Sequence, residues 1–376
     1  MPELFRLARI IPASRFSKSK ADGDKLEGRR QQRPRQALIA CLIALTLPGT
    51  STASGASPPR AEQFIALSFD GSKSLPVWQK TLAFAERVPV RFTYFVSCTH
   101  FLLPEHRRKY RPPGRRPGRS DVGYAKSAED LEARLGYVQQ ALDAGHEIGN
   151  HACGHFDGRR WSVAQWQQEF GEFRRILAGA WHLNGLEGEP PDWPARITSA
   201  VKGFRAPLLS INPAMFKTLK SMGYRYDASE GGYMHQQPVR GKAGLWAFKL
   251  AFIPEGRTRR LTLAMDYNLM QRQTGGRSSV QNRSRVLGRT YEALMRYFNN
   301  NYHGSRAPLH IGFHFAAWNG GGYRAALFKF AGSVCHRSDV RCGTYAELAD
   351  RLEGREPARL MAAAPDKPQR SNWFAD

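Results

Sequence analysis

The sequence predicts an α/β fold, one barrel-like domain over residues 60–355, and three observations carry that prediction. From Phe64 onward, short apolar runs alternate with segments of helical period, the pattern of repeated strand–helix units in a parallel sheet. Seven or eight such runs follow one another without an internal repeat or a linker-like stretch. They occupy about 290 residues, the size of one barrel. Hydrophobic residues make up 41% of the 376, with 21 Phe, 13 Tyr and 8 Trp, which is enough for a sizeable core and excludes a disordered chain.

Taken in order, Phe64–Phe69 reads as a buried strand, 75–87 as a helix and 90–96 as the next strand. Residues 105–119 then break the rhythm with seven Lys/Arg, three Pro and two Gly, a solvated loop insertion. A helix over 127–144 follows, with Ser127 and Asp130 suited to its cap, then a short strand at 147–150 and a Trp/Phe-rich helix over 162–183. Residues 184–200 read as irregular. Strands are expected at 201–205, 224–227, 245–253, 260–265 and 309–315, and helices over 213–222, 280–302, 323–334 and 345–352.

The formal net charge of +24 invites a nucleic-acid reading, so its position matters. Residues 1–60 hold eleven basic and four acidic side chains, or +7, which leaves +17 for the remainder. In residues 1–56, a basic stretch precedes the apolar run Ala37–Leu47 and the small-residue segment PGTSTASGASPP. That is the layout of an export signal, with cleavage expected near Ala53 or Ala56 and the mature protein periplasmic or secreted. Cys41 fills the apolar run, which is too short to span a bilayer. Residues 356–376 read as a flexible tail. The one dense basic cluster is 105–119, read first as a solvated surface, with contact to an anionic cell-surface polymer or lipid headgroups as the lesser alternative; no basic module interleaved with aromatics points to nucleic acid. In an oxidising compartment, Cys335 and Cys342 are the best disulfide candidates, while Cys98 and Cys153 either pair or pack.

The chemistry lies at strand ends, where parallel α/β folds place their sites. Asp70 follows the first strand, His151 and His155 follow the third, and Arg205 lies in GFRAP. Asp227 follows YRY, Asp266 follows LTLAM, and His314 ends HIGFH, where it shares a face with His310. Two neutral imidazoles can hold a divalent ion, a carboxylate can take a proton from water, and a further imidazole can protonate a leaving group. The separate residues have plainer readings: Asp70 and Asp227 as helix caps, Arg205 as a surface arginine. The spaced set is far more specific than any member.

In order, SFDG, NHACGH, GFRAP, YRYDAS and HIGFHF resemble the five motifs of the polysaccharide deacetylases, the NodB-homology carbohydrate esterases, over roughly residues 62–353. The resemblance implies a distorted (β/α) barrel of about seven strands that removes acetyl groups from N-acetylated (or O-acetylated) sugars with a divalent metal, zinc. It implies Asp70 as base, His151 and His155 as metal ligands, and Arg205 as the group that orients the base. It further implies His314 as acid and Asp227 as the carboxylate that tunes His314. Pro207, Trp318 and Tyr323 are expected at the sugar, the last two by stacking or else as loop packing.

One position departs from the pattern. The family's metal-ligand aspartate is Gly71 here, which has no side chain to coordinate. Water could fill the gap, or the third ligand could be Asp70, Asp266 or Asp157. The alternative is a catalytically impaired glycan-binding protein on the same barrel.

Overall fold

The computed structural model describes residues 61–355; the export signal and the tail expected at the two ends lie outside them. The chain runs β1 (Gln63–Asp70), α1 (Leu75–Ala85), β2 (Thr93–Val96), α2 (Ala128–Asp143), β3 (Glu147–Asn150), α3 (Val163–Ala178), α4 (Ala180–Asn184) and α5 (Trp193–Ala200). It continues through β4 (Gly203–Phe204), α6 (Pro213–Ser221), β5 (Tyr226–Asp227), β6 (Gly231–Tyr233), β7 (Val239–Arg240), β8 (Trp246–Ala247), β9 (Leu250–Glu255) and β10 (Arg260–Leu263). Last come α7 (Asp266–Thr274), α8 (Arg283–His303), β11 (Leu309–His314), α9 (Trp318–Val334), β12 (Val340–Gly343) and α10 (Tyr345–Leu352).

The main sheet has nine strands in the order β11-β1-β2-β3-β4-β5-β8-β7, with β12 beside the first half of β1. All neighbours from β11 to β8 are parallel, so their C-terminal ends open on one side. A second sheet, β10-β9-β6, meets the first through the Met265–Gly312 bridge. The fold is a mixed α/β one, a curled half-barrel sheet flanked by helices. β1 is buried along its whole length, which is why its sequence is a continuous apolar run rather than an alternating one. Inside the curl lie Phe64, Ala66, Phe95, Tyr226, Phe248 and Tyr345; Phe69, Phe92, Tyr94 and Ile311 instead join the large core shared with the helices.

Some elements depart from expectation. Residues 193–200 form a helix where irregular chain was expected, because Pro194 sits in its first turn, where a missing N–H costs nothing. The strand expected over 245–253 divides into β8 and β9, which join different sheets. Short β6, β7 and β12 carried too few residues to show a period. The 105–119 insertion is more ordered than a solvated loop: a 3₁₀ turn spans Pro104–Lys109, and Tyr110, Pro112 and Pro113 are buried. Both cysteine pairs are disulfides, Cys335–Cys342 and Cys98–Cys153.

Candidate active site

Strand register builds the centre of the site. Asp70 and His314 are direct partners on the parallel strands β1 and β11, so their side chains emerge side by side on one face. Arg205 follows β4, and Asp266 opens α7 directly after the bridge that docks β10 on β11.

Arg205 is fully buried and uses every edge of its guanidinium. Nη1 donates to Asp70 Oδ1 at 2.7 Å and to Ser68 Oγ at 2.8 Å, Nε to the Ala228 carbonyl at 3.0 Å, and Nη2 to the Tyr345 hydroxyl at 3.2 Å. Its plane lies 4.3 Å from the centre of the Phe95 ring. Burial works to raise the Asp70 pKa, but the charge of Arg205 outweighs it and holds the carboxyl below its ordinary value. Asp70 is thus an oriented, ionised carboxylate.

His314 is the opposite case. Its Nδ1 lies 2.6 Å from Asp266 Oδ1, and its backbone N–H donates to Asp266 Oδ2 at 3.0 Å. Burial would lower the imidazole pKa, yet the Asp266 carboxylate overcomes this and the net shift is upward. With Nδ1 engaged, Nε2 carries the proton that can be given away. The rings of Trp318 and Tyr267 stand 5.4 and 6.4 Å away.

The carboxylate beside His314 is therefore Asp266, whereas Asp227 was expected there. Asp227 accepts from the Ser229 hydroxyl at 2.6 Å and the Ser229 N–H at 3.2 Å, and Ser229 Oγ in turn accepts from the Ala206 N–H at 2.8 Å. It braces the Arg205 turn, and burial pushes its pKa up to about 7.

His151 and His155 stand on the loop after β3 with ring centres 5.2 Å apart. His151 Nδ1 is tied to the Arg205 carbonyl at 2.7 Å, which leaves Nε2 as its free nitrogen. Burial lowers both imidazole pKa values, that of His155 to about 3, which favours the neutral form of both rings. The loop between them is held hard. Ala152 and His155 have left-handed φ of 56° and 59°, a conformation that costs a non-glycine residue on the order of 1 kcal/mol. Wholly buried Glu169, on α3, accepts from the Cys153 N–H at 2.8 Å and from the Tyr110 hydroxyl at 2.8 Å. Tyr110 OH also accepts from the Gly154 N–H at 3.1 Å. A Cβ on Gly154 would sit 2.2 Å from the Phe156 ring, so only glycine fits. The Cys98–Cys153 disulfide fastens this loop to the end of β2.

The fit of a divalent cation is a two-imidazole one. Burial favours the unprotonated form of both rings, and His151 has the backbone anchor that metal-binding histidines use. Among the described residues, no three His, Cys, Asp or Glu side chains gather as a metal-holding group. Asp70 is engaged with Arg205 and Asp266 with His314, while Asp157 is exposed and pairs with Arg159 at 3.1 Å. Gly71 has φ of 88°, and its N–H donates to the Phe95 carbonyl. A Cβ there would meet only Phe315, at 3.8 Å, so the backbone conformation rather than space favours glycine.

The expected sugar contacts divide. Trp318 is half-buried at the His314 rim, but Tyr323 is 2% exposed and packs in the core, so it cannot stack on a sugar. Pro207 is buried as well; the exposed residue of that turn is Leu208, which like Leu209 has a left-handed φ. His310 lies against the Phe248 and Tyr345 rings. Ser68, Glu169, Tyr110 and Tyr345 were not expected. Only Glu169 left a trace, a carboxylate on the apolar stripe of α3.

No protein-family model and no curated protein matches the chain. Among solved structures, it is similar to a putative polysaccharide deacetylase from Mycobacterium smegmatis, with 15% identity and a TM-score of 0.47 over 83% of this chain and 97% of that one. It is similar to the Xyl-CE4 domain of a multidomain xylanase from the hindgut metagenome of Trinervitermes trinervoides, with 16% identity and a TM-score of 0.42 over 78% and 92%. A CE4 family pseudoenzyme from Bacillus anthracis matches with 11% identity and a TM-score of 0.41 over 77% and 66%.

Proposed function

We propose that this protein is a hydrolase that removes acetyl groups from the sugars of an extracytoplasmic polysaccharide. One observation carries the reading: Asp70 and His314, register partners on adjacent strands, are each set against a buried counter-charge that pushes their pKa values in opposite directions. The result is a carboxylate favoured in its ionised form beside an imidazole favoured in its protonated form.

A divalent cation, zinc in this reading, would be held by His151 and His155, and when bound it supplies polarisation of the acetyl carbonyl. Asp70, fixed by Arg205, takes a proton from the attacking water as its oxygen bonds to the carbonyl carbon. His314 then gives its Nε2 proton to the departing amine as the C–N bond breaks, which leaves acetate and a free amino sugar. Asp266 holds the imidazole in the tautomer this requires and offsets its positive charge. The Trp318 and Tyr267 rings flank His314. No described helix is long and apolar enough to cross a membrane, and export through the N-terminal segment places the enzyme with its polymer.

Acetate release from acetylated chito-oligosaccharides tests the reading. Release by the wild type, lost in Asp70→Asn, supports it. Gly71 favours a second reading, the impaired glycan-binding protein, because it removes one metal ligand at a position whose φ of 88° suits glycine. Sugar binding without acetate release, whatever divalent ion is added, would decide for that alternative.

A further inference from the structure

The basic insertion takes no part in the chemistry above, yet it is built onto the site. Residues 105–119 hold seven Lys/Arg against one Glu, and all seven basic side chains are exposed. Beneath them the segment is anchored: Tyr110 is buried on Glu169, Pro112 and Pro113 are buried, and the Gly118 N–H donates to the Tyr110 carbonyl at 2.8 Å. The anchor is shared with the histidine loop. Gly154, next to His155, donates to Tyr110 OH, and its carbonyl accepts from the Asp121 N–H at 2.9 Å. Arg115 lies 4.2 Å from the centre of the Phe156 ring, directly after His155. Of the acids close by, Asp121 pairs with Arg119 of the segment itself at 3.2 Å, and Glu172 is engaged elsewhere, with Arg175 at 2.8 Å. Among the described residues, Arg107, Arg108, Arg111, Arg115 and Arg116 form no ion pair. A flexible charged loop would place its charge at random; this one is fixed to the histidine loop through Tyr110, Asp121 and Arg115, and it carries guanidinium groups without ion-pair partners among the described residues. At about 0.15 M salt such charges act over roughly 8 Å.

We propose that residues 105–119 form a binding rim for an anionic polysaccharide, whose carboxylate- or phosphate-bearing sugars flank the acetylated one. The inference rests on the hydrolase reading for its geometry, but binding tests it separately. Guanidinium groups suit both carboxylate and phosphate oxygens because their planar N–H edges bond them in pairs.

The test uses the full chain and fluorescently labelled polygalacturonate, a carboxylated polymer without acetamide, with neutral dextran and phosphatidylglycerol vesicles as comparisons. The wild type should bind polygalacturonate at low salt, lose affinity steeply as salt rises, and ignore dextran. R108Q/R111Q/R116Q should bind roughly tenfold more weakly, the sum of three exposed charge contacts, with an unchanged melting temperature. His151→Ala should bind like the wild type, so failure of the hydrolase reading leaves this result standing. Equal affinity of the triple variant, equal binding of dextran, or no binding by the wild type would overturn the proposal. Tighter binding to the vesicles than to polygalacturonate would overturn it in favour of a membrane-facing role.

Discussion

Two carboxylate–cation pairs stand at neighbouring strand ends, and they do opposite things. In the Asp70–Arg205 pair both side chains are buried, the guanidinium is bonded on every edge, and the carboxylate is the member left able to react. In the His314–Asp266 pair the carboxylate is buried at 3% exposure, while the imidazole, at 28%, is the one that reaches solvent. The reacting member is whichever partner is not saturated by the surrounding protein. In the proposed mechanism, the same ion-pair chemistry yields a base on one strand and an acid on the next.

The sharpest way to break the contrast is to remove the saturated partner of the first pair. Arg205→Met leaves Asp70 buried without its counter-charge, so acetate release should fall by roughly 10²–10⁴-fold. Stability in urea should drop by about 3–5 kcal/mol, the cost of stranding a buried charge. Activity close to wild type would show that Asp70 is not the base.

Asp266→Asn attacks the second pair and should show in the pH profile. With Asp70 held below the usual carboxylate range and His314 above the usual imidazole range, activity should span a plateau between the two. Without the Asp266 charge the alkaline limb should move to lower pH while the acid limb stays. A limb that does not move would remove His314 from the acid role.

Gly71→Asp asks whether the site between the pairs lacks only a ligand. Zinc affinity, read by competition with a chromogenic chelator, should rise, because space exists and a third donor is added. The left-handed φ should cost on the order of 1 kcal/mol of stability in return.

The smallest effect is expected at Asp227, the carboxylate that belongs to neither pair. Its folded pKa is raised to about 7, so its contribution to stability is complete below the unfolded carboxylate value and is lost as pH rises through about 7. Asp227→Asn should flatten the fall in melting temperature between pH 4 and 7 and leave the limbs of the activity profile in place. A displaced alkaline limb in this variant would return Asp227 to the role the motif implies.

Much of this was legible in the chain. The continuous apolar run of β1, the helical period of α2 and α8, and the polar residues at strand ends are local patterns, set by side-chain period and backbone sterics. So were Asp70, His151, His155, Arg205 and His314 as residues of interest, and the exposed charge of 105–119. Pairing was not local. Whether Asp227 or Asp266 faces His314 depends on β10 docking against β11 through a single bridge, and both residues read alike as an aspartate after an apolar strand. Tyr323 could be either a sugar platform or core until the left-handed turn Asn319–Gly321 set the direction of α9. Glu169 and Tyr110 meet across 59 residues, and two short cysteine-bearing segments join through Cys98–Cys153. Sequence alone determined which residue types stand at the strand ends, because that follows from local hydrogen bonding and burial. Only the tertiary structure decided which of them share a counter-charge, because Coulomb and hydrogen-bond energies depend on distances that chain order does not set.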